Sequence, residues 1–274
     1  MPPLLLVPLG LVVGAYGTLI GAGGGFLLVP ALLFLYPHER PATITSVSLA
    51  VVFFNATSGS LAYARQGRID YRTGIRFALA TAPGALLGAR VATHLSRGVF
   101  DVLFGAAMVA VAGFVVIRSQ SQRVSATAPQ PGMTMRVLTD ARGETYVYRF
   151  WQWKGIVLSA GVGFLSSLLG IGGGIIHVPV LVEFLHFPVQ IATATSHFIL
   201  SFMALVGTAG YLTAGTLGPH AGLDQVLLLS LGVVPGAQLG ARFSHRVRGG
   251  LILRLLGVAL GTVGVRLVLT PLIG

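Results

Sequence analysis

The sequence predicts an all-α polytopic membrane protein made of two inverted-topology repeats. Each repeat is a glycine-tipped broken or re-entrant hairpin followed by three transmembrane helices. Three observations carry this. First, the 274 residues are 54% hydrophobic and only 9% charged, with a mean hydropathy of +0.85, where an ordinary soluble domain carries about 25% charged residues. Second, a glycine run with the same downstream pattern occurs twice inside apolar stretches. Third, matched loops of the two halves carry opposite charge bias.

The elements follow in order. Met1-Pro2-Pro3 has no basic leader, so the apolar start reads as a first membrane segment rather than a cleaved signal. Leu4–Ile20 spans about 17 residues, roughly 25 Å as helix and slightly short of a bilayer core. After the glycines, Phe26–Tyr36 is about 16 Å long, half a span. Thr43–Ala64, Gly74–Thr93 and Phe100–Ile117 read as full spans. The polar segment 119–152 is a linker in which Arg136–Thr139 and Thr145–Tyr148 flank a turn-like Asp140-Ala141-Arg142-Gly143, the pattern of a small β-hairpin. A featureless linker is the alternative. Trp153–Leu169 is then a near-span, Ile175–His186 a short arm, and Ile191–Thr213, Asp224–Phe243 and Leu251–Leu269 are spans. The domains are therefore 1–118, the linker 119–152, and 153–274.

The duplication rests on several blocks in one order. Gly21-Ala22-Gly23-Gly24-Gly25 with Val29-Pro30 returns as Gly170-Ile171-Gly172-Gly173-Gly174 with Val178-Pro179. Ala42-Thr43-Ile44-Thr45-Ser46 returns as Ala192-Thr193-Ala194-Thr195-Ser196, Gly59 and Tyr63 as Gly207 and Tyr211, and Pro83-Gly84-Ala85 through Arg90 as Pro235-Gly236-Ala237 through Arg242.

Charge sets the orientation, because basic residues collect in cytoplasmic loops. Arg65, Arg68, Arg72 and Arg76 put the loop after the first full span inside, while its mate, 215–223, has no Lys or Arg and falls outside. Arg242, Arg246, Arg248 and Arg254 reverse the bias in the other matched pair, which is the mark of an inverted repeat. With the linker inside, all but four of the 18 basic residues (Arg40, Arg90, Arg97 and Arg266) are cytoplasmic, and both termini are extracytoplasmic.

The net charge of +11 is thus accounted for by topology, and no large soluble domain offers a basic face to nucleic acid. The absence of cysteine excludes disulfides and thiolate metal sites. No nucleophile–base–orienter set, no carboxylate pair at metal spacing and no Walker loop is present, so no enzyme, metal site, cofactor or ATP-driven pump is expected. An intramembrane enzyme using His177 and His197 would lack a carboxylate at depth.

Glycine interrupts a helix and leaves backbone N–H and C=O groups open, which lipid tolerates only against protein or a water-filled cavity. Two tips entering from opposite faces can meet at the midplane, where a half-helix start attracts an anion. Gly23, Gly24, Gly25, Gly172, Gly173 and Gly174 are therefore candidate substrate contacts, with close helix packing as the other reading. The prolines either open the half-helices or kink helices begun at Phe26 and Ile175. His177 and His197 break the internal symmetry, since their mates are Leu28 and Val47, and are candidates for ligand or proton handling. Ser46, Ser48 and Ser196 can donate to an oxyanion or back-bond within their helices. Asn55 and Gln238 are intramembrane amides that suit either substrate or helix–helix bonding. Arg90 and Arg242 close matched blocks, as anion contacts or as snorkelling cations.

At these glycine blocks, Ala-Thr-x-Thr-Ser segments and Pro-Gly-Ala-x-x-Gly-Ala-Arg blocks, the chain resembles the TauE/SafE family, also called TSUP, of sulfite and organosulfonate exporters and 4-toluene sulfonate uptake permease-like proteins. The resemblance covers nearly everything but the linker. It implies a multi-pass transporter in a bacterial-type plasma (inner) membrane that exports sulfite, sulfoacetate or a related organosulfonate. Its expected partners are that anion and the lipid bilayer, with a homo-oligomer left open. Uptake of such anions and a non-transporting membrane scaffold are the alternatives. No buried acidic pair offers a Na⁺ or proton relay, which favours uniport with the histidines as the other proton carriers.

Overall fold

The computed structural model describes residues 5–118, 131–218, 222–244, 261 and 264–267. The chain runs α1 (Leu6–Ile20), α2 (Gly25–Leu35), α3 (Pro41–Arg65), α4 (Tyr71–Ala92), α5 (Arg97–Arg118), β1 (Thr134–Thr139), β2 (Thr145–Phe150), α6 (Gln152–Leu169), α7 (Gly174–Pro179), α8 (Val189–Thr213) and α9 (Leu223–Phe243). The described residues include four helices, α3, α4, α8 and α9, long and apolar enough to cross a membrane, so this is a largely helical, multi-pass membrane protein. The predicted span over 251–269 lies almost entirely outside the described residues, as do linker residues 119–130, Arg246, Arg248, Arg254 and both chain ends.

The two short arms differ. α2 begins at Gly25 and carries Pro30 in its interior, so the proline interrupts a helix already begun. α7 ends at Pro179 and continues as a π-helical turn over Val180–Phe184. Each preceding helix stops at a left-handed glycine: Gly21 has φ +85° and Gly170 φ +69°. At the first stop the amides of Gly21, Ala22 and Gly23 fold back onto the carbonyls of Thr18 and Gly17, satisfying the last carbonyls of α1.

The long helices pack backbone to backbone. On α1 and α9, a Cβ added at Gly14 would meet the Val233 carbonyl, and one at Gly236 or Gly240 would meet the carbonyls of Leu11 or Ala15. On α4 and α6, a Cβ at Gly163 would meet the Thr81 carbonyl, and one at Gly84 or Gly88 those of Ala160 or Phe164. Residue numbers rise together along both pairs, so α1 runs parallel to α9 and α6 parallel to α4. Gly59 on α3 sits against His197 on α8, and Gly207 on α8 against Leu49 on α3, so these two central helices are antiparallel. Small residues allow this approach, and dispersion over the contact holds helices that lipid does not press together.

The strands form an antiparallel hairpin, with Thr134 opposite Phe150 and Thr139 opposite Thr145. Its alternation buries one face. Tyr148 and Phe150 pack on Phe187 with ring centroids 4.5 and 4.9 Å apart, in a cluster with Phe77, Leu181, Leu185 and Ile191. Asp140 at the turn makes a buried ion pair with Arg68 (3.3 Å), and the Ala141 amide donates to the Gln66 carbonyl. At the start of α4, Asp70 caps the helix through the Thr73 amide and accepts from the Tyr148 hydroxyl at 2.8 Å, with Arg136 at 3.6 Å.

Candidate functional site

The two glycine tips touch in the middle of the helical body. A Cβ at Gly25 would come within 2.6 Å of the Gly170 carbonyl oxygen, and one at Gly174 within 2.7 Å of the Ala22 Cα. Gly21 lies against Thr193 and Gly170 against Thr45, so each tip also rests on the Ala-Thr-x-Thr-Ser segment of the other half. Helix starts leave their first amides without partners. Among the described residues Gly24, Gly25 and Phe26 donate no backbone hydrogen bond, and neither do Gly173 and Ile175 in the second copy. Gly24 and Gly173 hold φ +82° and +61°, and Gly23 and Gly172 are also left-handed.

A chain of hydrogen bonds supports the first tip. The Asn55 amide donates to the Gly23 carbonyl at 2.8 Å, and the Thr18 hydroxyl donates to Asn55 Oδ1 at 3.1 Å. His197 Nε2 lies 3.3 Å from Thr18 Oγ1. Tyr63 donates to the Thr18 carbonyl at 2.8 Å and meets the His197 ring edge-on, with centroids 5.6 Å apart. All four side chains are essentially inaccessible.

The equivalent position at the second tip is plainer. Tyr211 donates to the Ser167 carbonyl at 2.7 Å, as Tyr63 does to Thr18. The counterparts of Asn55 and His197 are Met203 and Leu49, both buried and apolar. Leu49 lies against Gly207 beside Ser167 as His197 lies against Gly59 beside Thr18, whereas Val47, the mate expected for the histidine, lies against Gly222. Ser48 donates to the Gly170 carbonyl at 2.7 Å. Ser166, Ser167, Ser196 and Thr45 have buried hydroxyls without partners.

Other candidates stand elsewhere. Ser46 back-bonds to the Thr43 carbonyl at 2.8 Å. His177 points at α6, where Nε2 is 3.1 Å from Ser159 Oγ, with Phe77 beside it. Gln238 donates to the carbonyl and hydroxyl of Ser58, joining α9 to α3 away from the tips. Arg90 and Arg242 are exposed at the ends of α4 and α9, where the snorkelling geometry fits. Among the described residues no three His, Asp or Glu side chains gather as a metal site. Thr18, Ser167, Tyr63 and Tyr211 are the residues that sequence reasoning did not assign to the tips. Their signal was available: hydroxyl-bearing mates, Thr18 and Ser167, stand three residues before Gly21 and Gly170.

A family model described as sulfite exporter TauE/SafE matches residues 6–267. The chain is 31% identical to the probable membrane transporter protein YunE of Bacillus subtilis, covering 96% of each chain. It is 26% identical to the probable membrane transporter protein MJ0441 of Methanocaldococcus jannaschii, over 97% of this chain and 95% of that one. A further relative, the probable membrane transporter protein MamO of Paramagnetospirillum magneticum, is 27% identical over 92% of this chain and 41% of its own. No solved structure matches.

Proposed function

The chain belongs to the TauE/SafE family, a family of membrane transporters rather than enzymes, and on that premise we propose that it exports a small sulfur-containing anion across a bacterial-type plasma membrane. Sulfite, sulfoacetate and related organosulfonates are the substrate class. The observation that carries the reading is the meeting of two glycine tips with unpartnered helix-start amides, since such amides favour an oxyanion.

The same reading takes the two halves as inverted repeats, with the strand hairpin and the loop holding Arg65–Arg72 in the cytoplasm and both termini outside. Helix polarity supports it. Charge bias has α1 and α9 both running inward and α4 and α6 both running outward, and each of these pairs packs in parallel. The interlock supports it too, because α1 of the first half lies on α9 of the second and α6 of the second lies on α4 of the first.

Flux of radiolabelled sulfite and sulfoacetate from proteoliposomes, with potential and pH set independently, tests the function. Saturable efflux is expected. Saturable entry without efflux would establish uptake instead, and no flux of any sulfonate would leave a membrane scaffold. Topology is tested separately in this cysteine-free chain by single cysteines at the exposed positions 65 and 214, labelled from opposite faces; labelling from one face would end the inverted-repeat reading.

A further inference from the structure

We propose that His197 is a proton-binding site, titrating at Nδ1, and that its proton binds together with the anion at the first glycine tip. The link to the anion rests on the transport reading above; the proton site rests on hydrogen-bond direction alone.

The direction is forced from one end. The Gly23 carbonyl can only accept, so Asn55 donates to it through Nδ2. Asn55 Oδ1 then accepts the single hydroxyl proton of Thr18. Thr18 Oγ1 has only lone pairs left for His197, so Nε2 carries the imidazole hydrogen. In the neutral ring Nδ1 is therefore a bare lone pair. It is buried and has no hydrogen-bond partner. The backbone groups against the ring are the Thr193 and Gly21 carbonyls, which are acceptors and offer it no hydrogen. A proton taken by the Nδ1 lone pair makes an imidazolium whose new N–H can donate to these carbonyls. It would then bridge α8 to the last residue before the first tip.

The surroundings say what must come with the proton. On α3, Tyr63 is the titratable group that faces the ring, and its hydroxyl is engaged with the Thr18 carbonyl. α1 contributes Thr18 and α8 contributes Thr193 and Ser196, all uncharged. Among the described residues no carboxylate pairs with the ring. A buried cation without a counter-charge is unfavourable, so without an anion beside it the ring takes its proton only at lower pH. Proton and anion then raise each other's affinity by the same factor. Leu49 and Met203, which stand at the second tip where His197 and Asn55 stand at the first, allow no such site there.

The test uses purified protein in weakly buffered detergent near neutral pH, with sulfoacetate as the probe because both its acid groups are already ionised there. Addition of sulfoacetate should raise the pH of the medium, with uptake approaching one proton per anion bound as the pH is lowered. H197Q and T18V should lose that uptake, while T18S and H177Q keep it. Imidazole ¹⁵N spectra give a readout that needs no transport. One resonance, absent from H197Q, should report a neutral Nε2–H ring that becomes imidazolium when sulfoacetate is added. Full proton uptake by H197Q, anion binding without uptake in the parent, or a neutral Nδ1–H ring at His197 would overturn the proposal. If sulfoacetate does not bind, the substrate reading fails for that anion. The spectra then decide the proton site: an Nε2–H ring that becomes imidazolium on acidification alone sustains it, and an Nδ1–H ring or one that never protonates ends it.

Discussion

The first and second glycine tips share a backbone and differ in chemistry. Both follow a left-handed glycine stop, both rest on a Thr-rich segment of the opposite half, and both hang from a tyrosine that donates to a carbonyl one turn earlier. Only the first has Thr18, Asn55 and His197 in a hydrogen-bonded row; the second has Ser167, Met203 and Leu49. The strand hairpin adds a second inequality, since it packs on Leu181, Leu185 and Phe187 in the return arm of the second copy. The first copy's return is tied instead by Arg97, which donates to the Glu39 carbonyl at 3.1 Å. Two tips of like backbone geometry thus carry unlike side chains, and the difference must be sought in those side chains rather than in the fold.

The largest effect should come where the tips are alike. Gly25→Val and Gly174→Val each push a side chain into the opposite tip's backbone, which cannot yield as a flexible side chain would. Overpacking costs about 1–3 kcal/mol in a tight core, occasionally more, and both variants should lose the folded species in a fluorescence-detected size-exclusion assay. Gly161→Ala, with no atom within 4 Å of the new Cβ, is the control. A valine variant at either tip with the parental profile would mean the contact is not tight. The same geometry bears on Gly24, whose Cβ would lie 2.7 Å from a Val13 methyl, and on Gly173, 2.9 Å from Ser166 Oγ. A valine there acts on the fold as well as on any ligand, contrary to the simple expectation of a glycine kept small for substrate alone.

Where the tips differ, the response should be unequal. Asn55→Leu strands the Gly23 carbonyl and the Thr18 hydroxyl, a loss of about 1–3 kcal/mol, whereas Met203→Leu is nearly isosteric and should cost under about 1.5 kcal/mol. Thermal midpoints in one detergent compare them, and equal shifts would erase the distinction between the tips. Tyr63→Phe and Tyr211→Phe sharpen it from the other side. Each removes one hydrogen bond to a carbonyl, about 1 kcal/mol, and the two midpoints should fall together.

The smallest effect concerns the strand hairpin. Burial pushes the Asp140 carboxyl up, but the Arg142 and Glu144 amides and the Arg68 guanidinium outweigh it and hold its pKa below the usual carboxylate range. Its ionised form is therefore favoured by folding. That contribution is fully present above the ordinary Asp pKa of about 4 and is lost as pH falls through the lower folded value. Protease cleavage within 134–150 should stay slow down to about pH 4 and accelerate below it. Asp140→Asn should instead give a faster rate with little pH dependence; an unchanged rate in that variant would free the hairpin from the ion pair.

Much of this was legible in advance because membrane helices announce themselves by length and hydropathy. The described spans begin or end within a few residues of their expected places, and the two glycine runs that stand out in the sequence are in contact. The alternation from Arg136 to Thr139 and from Thr145 to Tyr148 was enough for the strands. Side-chain roles were less legible, because a serine in an apolar helix has the same spelling whether it back-bonds, as Ser201 does, or crosses to another element, as Ser48 does. Gln238 and Arg242 share one matched block, yet one joins helices and the other faces outward. Thr18 was marked only by its hydroxyl-bearing mate Ser167; its part depends on Asn55 and His197 arriving from two other helices.

The pairing of α1 with α9 has a consequence for synthesis. More than two hundred residues separate Ile20 from Leu223, and at about 5–20 residues per second a ribosome needs about 10–40 s to cover them. Throughout that time the glycine face of α1 has no protein to lie against and is covered by lipid or by the insertion machinery. The first half is consequently not a folding unit of its own. It waits in the membrane, half-assembled, for a helix made from the far end of the message, and a chain truncated before Leu223 should be a substrate for quality-control proteolysis rather than a stable half-protein.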